Sequence, residues 1–327
     1  MRPVALVAIV LAAVTFDVAP AYAADCTRTH TGRVPINDLG TGTYLGAQGG
    51  LYPGGVNPRP AGHNNAGLFL AGNRIKPRNS AGAVDLANGK IGLISIGMSN
   101  TTQEFQRFLT IAGSDPSINA KVAMVDGAQG GQDAVAWSTP TGPPWAVLAQ
   151  RLSQAGIGAA QVQVVWLKEQ IAGDNLGPFP GGAQNLRDLL RSIVTIARSK
   201  YPNLRIAYLS SRSYGDYNGA LRGTGAYEQA FAVKWLIQDQ ISGDPRLAYT
   251  DSGPAPWLAW STYLWADGLG ADDVPGGIPG RSDGLEWSCS DYQSDGVHPS
   301  ASGRNKVANR LLSFLKADTT STPWFIG

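Results

Sequence analysis

From Gly89 onward, short apolar runs alternate with stretches of helical spacing, the pattern of a parallel sheet flanked by helices. The apolar runs predict strands at Ile91–Ile96, Val122–Val125, Val162–Trp166, Ile206–Leu209 and Trp257–Trp260. Helices are expected around Gln103–Ile111, Pro144–Gln154, Gln184–Ser199 and Tyr227–Ile241, the third carrying Leu186, Leu189, Leu190, Ile193 and Ile196 along one face. A last amphipathic helix runs through Val307, Leu311, Phe314 and Leu315, with Pro299 and Ser300 at its start. The fold class is therefore α/β, a three-layer α/β/α sandwich with a mostly parallel five-stranded sheet. Residues 24–88 are rich in Gly, Pro and Asn without sustained periodicity, and are expected to form an irregular arm packed on a core domain at 89–327. The chain shows no internal repeat.

Composition narrows the partners. With 43% hydrophobic residues over 327 positions the chain can bury a large core. A formal charge of +2, with 15% charged residues and no long basic run, favours neither nucleic acid nor an anionic membrane as a partner. Residues 1–23 read as a secretory signal, with Arg2 in a short positive region, an apolar stretch from Val4 to Val14, and Ala21-Tyr22-Ala23 as a small-x-small cleavage site. The apolar run is too short to span a bilayer and Asp17 interrupts it. Localisation is thus expected to be secreted or periplasmic. Export gives the two cysteines, Cys26 and Cys289, a reason to pair, and their bond would contribute on the order of 4–5 kcal/mol on the chain-entropy model. Two cysteines and three scattered histidines leave no zinc-type spacing, so no metal and no cofactor is implied.

The candidate chemistry begins at Asp295-Gly296-Val297-His298-Pro299. An Asp-x-x-His spacing in a tight loop lets the carboxylate accept from imidazole Nδ1 and leaves Nε2 free as a base, although a turn with a helix cap uses the same residues. A nucleophile is found where the first strand ends, in Gly97-Met98-Ser99-Asn100. Ser99 there would sit at a helix N-terminus, beside free amides that favour an oxyanion, with Thr101 and Glu104 resembling a capping box. Ser99 as a simple cap is the competing reading. A literal Gly-x-Ser-x-Gly at Gly280–Gly284 has no strand before it and no helix after it, and is read as a chance match in a loop. The second strand runs into Gly130-Gly131, where backbone can approach a substrate oxygen, and the third into Lys168-Glu169.

Taken in this order, the Ser99 block, the glycines after the second strand and Asp295–His298 resemble the SGNH (GDSL-like) hydrolase superfamily over roughly residues 89–316. The resemblance implies a flavodoxin-like hydrolase fold and a catalytic set of Ser99, His298 and Asp295. It also implies an oxyanion hole from the Ser99 amide and the glycine of the second block, taken as Gly131 with Gly130 as the alternative. Two positions depart from the family pattern. Gly97-Met98-Ser99 stands for Gly-Asp-Ser, and Trp166-Leu167-Lys168-Glu169 stands for Gly-x-Asn-Asp, which puts Lys168 at the oxyanion asparagine.

The implied activity is a secreted serine esterase cutting carboxylic esters, with O-acetyl groups on extracellular carbohydrate as the leading substrate. Trp257, Trp260, Trp265 and Trp287 precede the Asp295 loop and are candidates for lining a glycan groove, with at least half of the tryptophans expected in the core. Trp287, Gly130 and His63 are taken as substrate-binding candidates. Two other classes remain: a non-catalytic glycan-binding protein on a degenerate version of this fold, and a two-carboxylate glycoside hydrolase drawing on Glu104, Glu169, Glu228 and Glu286.

Overall fold

The computed structural model describes residues 23–173, 176–221, 223–269 and 280–327, so the expected signal segment falls outside it except for Ala23. Five strands form one sheet: β1 (Ile91–Gly97), β2 (Val122–Val125), β3 (Val162–Lys168), β4 (Ile206–Leu209) and β5 (Trp257–Trp260). Their order is β2-β1-β3-β4-β5, with every neighbouring pair parallel. All residues of β1, β3, β4 and β5 are buried, as a parallel sheet covered on both faces requires. A three-layer α/β/α arrangement follows.

The long helices are α1 (Ala61–Asn73), α2 (Ser99–Ala112), α3 (Pro143–Gln154), α4 (Gly181–Lys200), α5 (Gly223–Ile241) and α6 (Ala301–Ala317). Right-handed crossovers put α2, which turns back from β1 to β2, on the opposite face from the later connections. Accordingly α2 packs against α6, and α4 packs against α5. Helix α4 buries Leu186, Leu190, Ile193, Val194 and Ala197 on one face and ends with Arg198 and Lys200 near its negative pole. Ser300 is the N-cap of α6, its side chain accepting from the Gly303 amide, and Val307, Leu311 and Leu315 form the buried stripe. No helix among the described residues is long and apolar enough to cross a membrane.

Two local expectations change. Helix α2 starts at Ser99 rather than Gln103, its N-cap is Met98, and no side chain caps it. The Thr101–Glu104 capping box does not form, because the Thr101 hydroxyl donates to the Lys168 carbonyl at 2.7 Å and the Glu104 carboxylate receives the Lys168 ammonium.

The arm is also more ordered than its composition predicts. It contains a two-stranded hairpin, Thr43–Tyr44 with Ala47–Gln48, and the 13-residue helix α1, whose glycines weaken its helical signature in the sequence. Gly67 lets α1 approach β5 closely, since a Cβ there would meet the Trp257 ring at 2.4 Å. His63 is buried on the same face, with Nε2 2.7 Å from the Leu258 carbonyl oxygen and its ring stacked on Trp257. It serves this packing and is not a pocket wall.

Cys26 and Cys289 form a disulfide. Beside it the Ala24 amide donates to the Ser294 carbonyl and the Asp25 amide to the Tyr217 carbonyl, both at 2.7 Å. The arm is thereby fastened to the segment just ahead of Asp295.

Gly67→Ala should destabilise the protein by about 1–3 kcal/mol through overpacking against Trp257. Gly72→Ala, where an added Cβ meets nothing within 4 Å, should be neutral or stabilising by up to about 1 kcal/mol from helix propensity. Urea unfolding of the two variants beside the parent checks the contrast, and equal midpoints would remove the close-packing account.

Candidate active site

The strand order reverses between β1 and β3, and in open α/β sheets the carboxyl ends at such a point form the natural ligand crevice. Ser99 lies two residues beyond β1 there. Gly97 brings the two strand ends together, since a Cβ on it would lie 2.3 Å from the Lys168 carbonyl oxygen. The turn into α2 then leaves Ser99 in the first helical turn, where backbone amides have no intrahelical acceptor.

His298 reaches Ser99 from the far end of the chain. Its Nε2 is 2.9 Å from Ser99 Oγ, and its Nδ1 is 2.5 Å from Asp295 Oδ2. The ionised carboxylate can only accept, so the Nδ1 proton points to Asp295 and the Nε2 lone pair to the serine. Asp295 Oδ1 also accepts the Val297 and His298 amides, each at 2.9 Å. Burial works against the charged carboxyl, yet the bonds from the His298 ring and these amides outweigh it and hold Asp295 below the usual carboxylate range. The side chains of His298 and Asp295 are 33% and 32% exposed, so the pair is open to a solute.

The loop is held from three sides. Gly296 takes φ +65 and has no room for a side chain, because a Cβ would lie 2.4 Å from the Tyr217 carbonyl oxygen. Asn100 donates to the Val297 carbonyl at 2.7 Å, and Asn218 to the Asp295 carbonyl at 2.6 Å. Neither asparagine was singled out in the sequence; Asn100 carried a signal only in its place next to Ser99. The cap of the following helix is Ser300, which leaves Asp295 free for the histidine.

On the other side of Ser99, a turn closed by the Gln132 amide on the Gln129 carbonyl (3.3 Å) presents Gly130 and Gly131. Gly131 takes φ +74, the value that favours glycine at the third position of such a turn. Gly130 is the one that abuts the serine, an added Cβ lying 3.8 Å from Ser99 Cβ. Both are exposed, and neither amide has a protein acceptor among the described residues. Arg151 pins the same loop by donating to the carbonyls of Asp126 and Ala128 (3.0 and 2.8 Å), and the Gln129 amide donates to the Gly97 carbonyl at 2.9 Å.

Lys168 is not offered to this space. It is 1% exposed and its ammonium donates to both Glu104 oxygens at 2.6 and 2.5 Å, so it acts as a core counter-ion rather than an oxyanion donor. Burial pushes its pKa down to about 8 in spite of that carboxylate. Trp287 is also displaced from the expected role: it is buried and donates to the Leu264 carbonyl, and Trp257, Trp260 and Trp265 are core residues too. The four glutamates occupy separate settings. Glu104 is ion-paired, Glu169 is buried after β3, Glu228 accepts from Tyr44, and the Glu286 carbonyl receives Lys306. Ser282 of the Gly-x-Ser-x-Gly match is exposed in a loop and bonded to Asp38.

Chemically, a hydroxyl whose proton faces an imidazole lone pair, itself oriented by a carboxylate, can be activated for attack on an electrophilic carbon. The unpaired amides around Gly130 can receive developing negative charge.

Comparison with known proteins adds little. No protein-family model matches the chain, and no curated protein does. Among solved structures, the chain is similar to a protein from Arabidopsis thaliana at 11% identity and a TM-score of 0.34, over 65% of this chain and 67% of that one. A likeness of that size carries no argument about function, and the site stands on its own geometry.

Lys168→Met should cost about 3–5 kcal/mol of stability, because it leaves the Glu104 charge buried without its partner. The double variant Glu104→Gln/Lys168→Met should lose less than the sum of the single changes. Guanidinium unfolding of the four proteins measures the coupling, and strictly additive losses would argue against the pair.

Proposed function

We propose that the chain is a serine esterase of the SGNH type that hydrolyses carboxylic esters on extracellular carbohydrate. The observation that carries this reading is the unbroken hydrogen-bond chain Ser99–His298–Asp295, joining residues 199 positions apart at the carboxyl ends of a parallel sheet. A parallel sheet with Ser99 bonded to His298 is what the resemblance would require, and Lys168, buried against Glu104, departs from it.

In the proposed cycle, His298 Nε2 takes the Ser99 proton as Oγ attacks the ester carbonyl. The oxyanion meets the Ser99 amide and the exposed turn amides at Gly130 and Gly131, each donor of this kind being worth about 2.7–4 kcal/mol. His298 then protonates the departing alcohol, with Asp295 steadying the imidazolium. Water repeats the sequence on the acyl-enzyme and frees Ser99.

Export supports an extracellular substrate. The signal-like residues 1–23 and the Cys26–Cys289 disulfide both fit an oxidising compartment.

Ser99→Ala and His298→Ala should each lower kcat for p-nitrophenyl acetate and for acetylated xylan by at least about 10⁴-fold, with near-native circular dichroism. Asp295→Asn should lose about 10⁴-fold by favouring the wrong tautomer. Acetate release at the parent rate from Ser99→Ala protein would sink the esterase reading.

A further inference from the structure

Beside the His298 loop the surface opens into a cleft of about 400 Å³. Gly296 and Val297 form one edge, and the 176–179 segment, the 212–216 segment and the start of α5 form the rest. Its volume falls in the range of ordinary small-molecule sites, about 300–1,000 Å³, but such sites are mostly apolar. This one mixes apolar side chains, among them Leu176, Phe179 and Tyr214, with the polar Gln170, Gln229 and Asp216 and the charged Arg28. Charges of both signs line it, so it offers hydrogen bonding rather than a field of one sign.

Two of these walls hold acceptors with nothing to accept. Gln229 Oε1 and Asp216 Oδ2 are buried without a hydrogen-bond partner among the described residues. Gln229 is 5% exposed, and its Nε2 donates to Gln170 Oε1 at 2.5 Å. An unmet buried acceptor is costly, and a small rotation of the side chain that turns its oxygen to the cleft would let a ligand hydroxyl satisfy it. Burial raises the pKa of Asp216, as expected of a carboxyl with an unmet oxygen.

Position assigns the side of the ester that meets the cleft. His298 must reach the leaving oxygen to protonate it, so the alcohol lies on the histidine side, and the two residues before His298 edge the cleft. Resting on the esterase reading above, we propose that this cleft is the alcohol subsite, that it takes a polyhydroxylated carbohydrate alcohol, and that Gln229 and Asp216 select it by accepting its hydroxyls. Arg28 is carried in by the segment that the Cys26–Cys289 bond and the Tyr214 hydroxyl, donating to the Arg28 carbonyl at 2.8 Å, hold in place.

Ser99→Ala protein keeps the cleft while stopping turnover, so deacetylated xylo-oligosaccharide is titrated calorimetrically into Ser99→Ala and into Ser99→Ala/Gln229→Leu, with thermal unfolding as the folding control. Binding to the first and a loss of about 5- to 150-fold in the second is expected, the fold-change that one acceptor of about 1–3 kcal/mol gives. In the Ser99-intact Gln229→Leu protein, kcat/KM for acetylated xylo-oligosaccharide relative to p-nitrophenyl acetate should drop by a similar factor, mainly through KM. Should Gln229→Leu fail to fold, Asp216→Ala is read in its place with the same expectation. Equal binding in the two calorimetric proteins, or no binding to Ser99→Ala, overturns the subsite. So does a parental preference for p-nitrophenyl octanoate over acetate that Gln229→Leu abolishes, which would make the cleft an acyl pocket. Acetate release by Ser99→Ala instead overturns the esterase reading and the alcohol assignment with it, while the titration still reports whether the cleft holds a sugar.

Discussion

The Asp295 carboxylate is the point on which the site closes. One oxygen takes the amides of Val297 and His298 and the other takes the imidazole, so a single side chain shapes the loop and aims the ring it carries. The loop can make that turn only because Gly296 sits in the left-handed region against the Tyr217 carbonyl. Asn100 then bonds the Val297 carbonyl from the residue after Ser99, so the histidine loop and the serine-bearing helix share a fixed frame. Behind the loop, the Cys26–Cys289 bond and the Ala24–Ser294 backbone bond restrain the segment that leads into it. Ser99 and His298 lie on opposite arms of the sequence, and these restraints hold the loop that brings His298 within hydrogen-bond distance of Ser99.

Beneath Ser99 a second constraint is electrostatic. Lys168 ends β3 and Glu104 lies on α2, and their buried contact, with Thr101 donating to the Lys168 carbonyl, locks the first turns of α2 onto the strand beside it. Such a pair is weak evidence for net stability, since desolvating both charges offsets much of their attraction. Its use is geometric: the only low-energy arrangement of the two charges is together, and that fixes where the helix begins. Position in a motif therefore differs from role. Lys168 stands where the resemblance read from the sequence would place an oxyanion asparagine, yet its ammonium is turned inward onto the Glu104 carboxylate.

The sheet was legible because each buried strand is a continuous apolar run with a helical stretch between it and the next, and the five predicted runs match the five strands with only β1 and β3 running on to Gly97 and Lys168. Ser99, His298 and Asp295 were legible for a different reason: their spacing encodes a local geometry, a strand-to-helix turn in one case and an Asp-x-x-His loop in the other. What failed was whatever depended on a distant partner. Glu104 reads as a capping residue until Lys168 is placed opposite it, and Trp287 reads as a sugar platform until Leu264 is seen to take its indole proton. Helix α1 was hidden because its glycines, written as a break in any local reading, are what admit Trp257.

On the esterase reading, the two ends of an ester would meet different surroundings. Next to Ser99 lie Gly130 and Gly131, exposed backbone whose amides have no acceptor among the described residues. On the histidine side, a walled cleft carries acceptors that the fold itself leaves unmet. Binding energy spent away from the reacting atoms is what aligns a substrate for attack. On the esterase reading, discrimination would therefore fall to the alcohol side, where acceptors left unmet in the cleft walls favour a polyol.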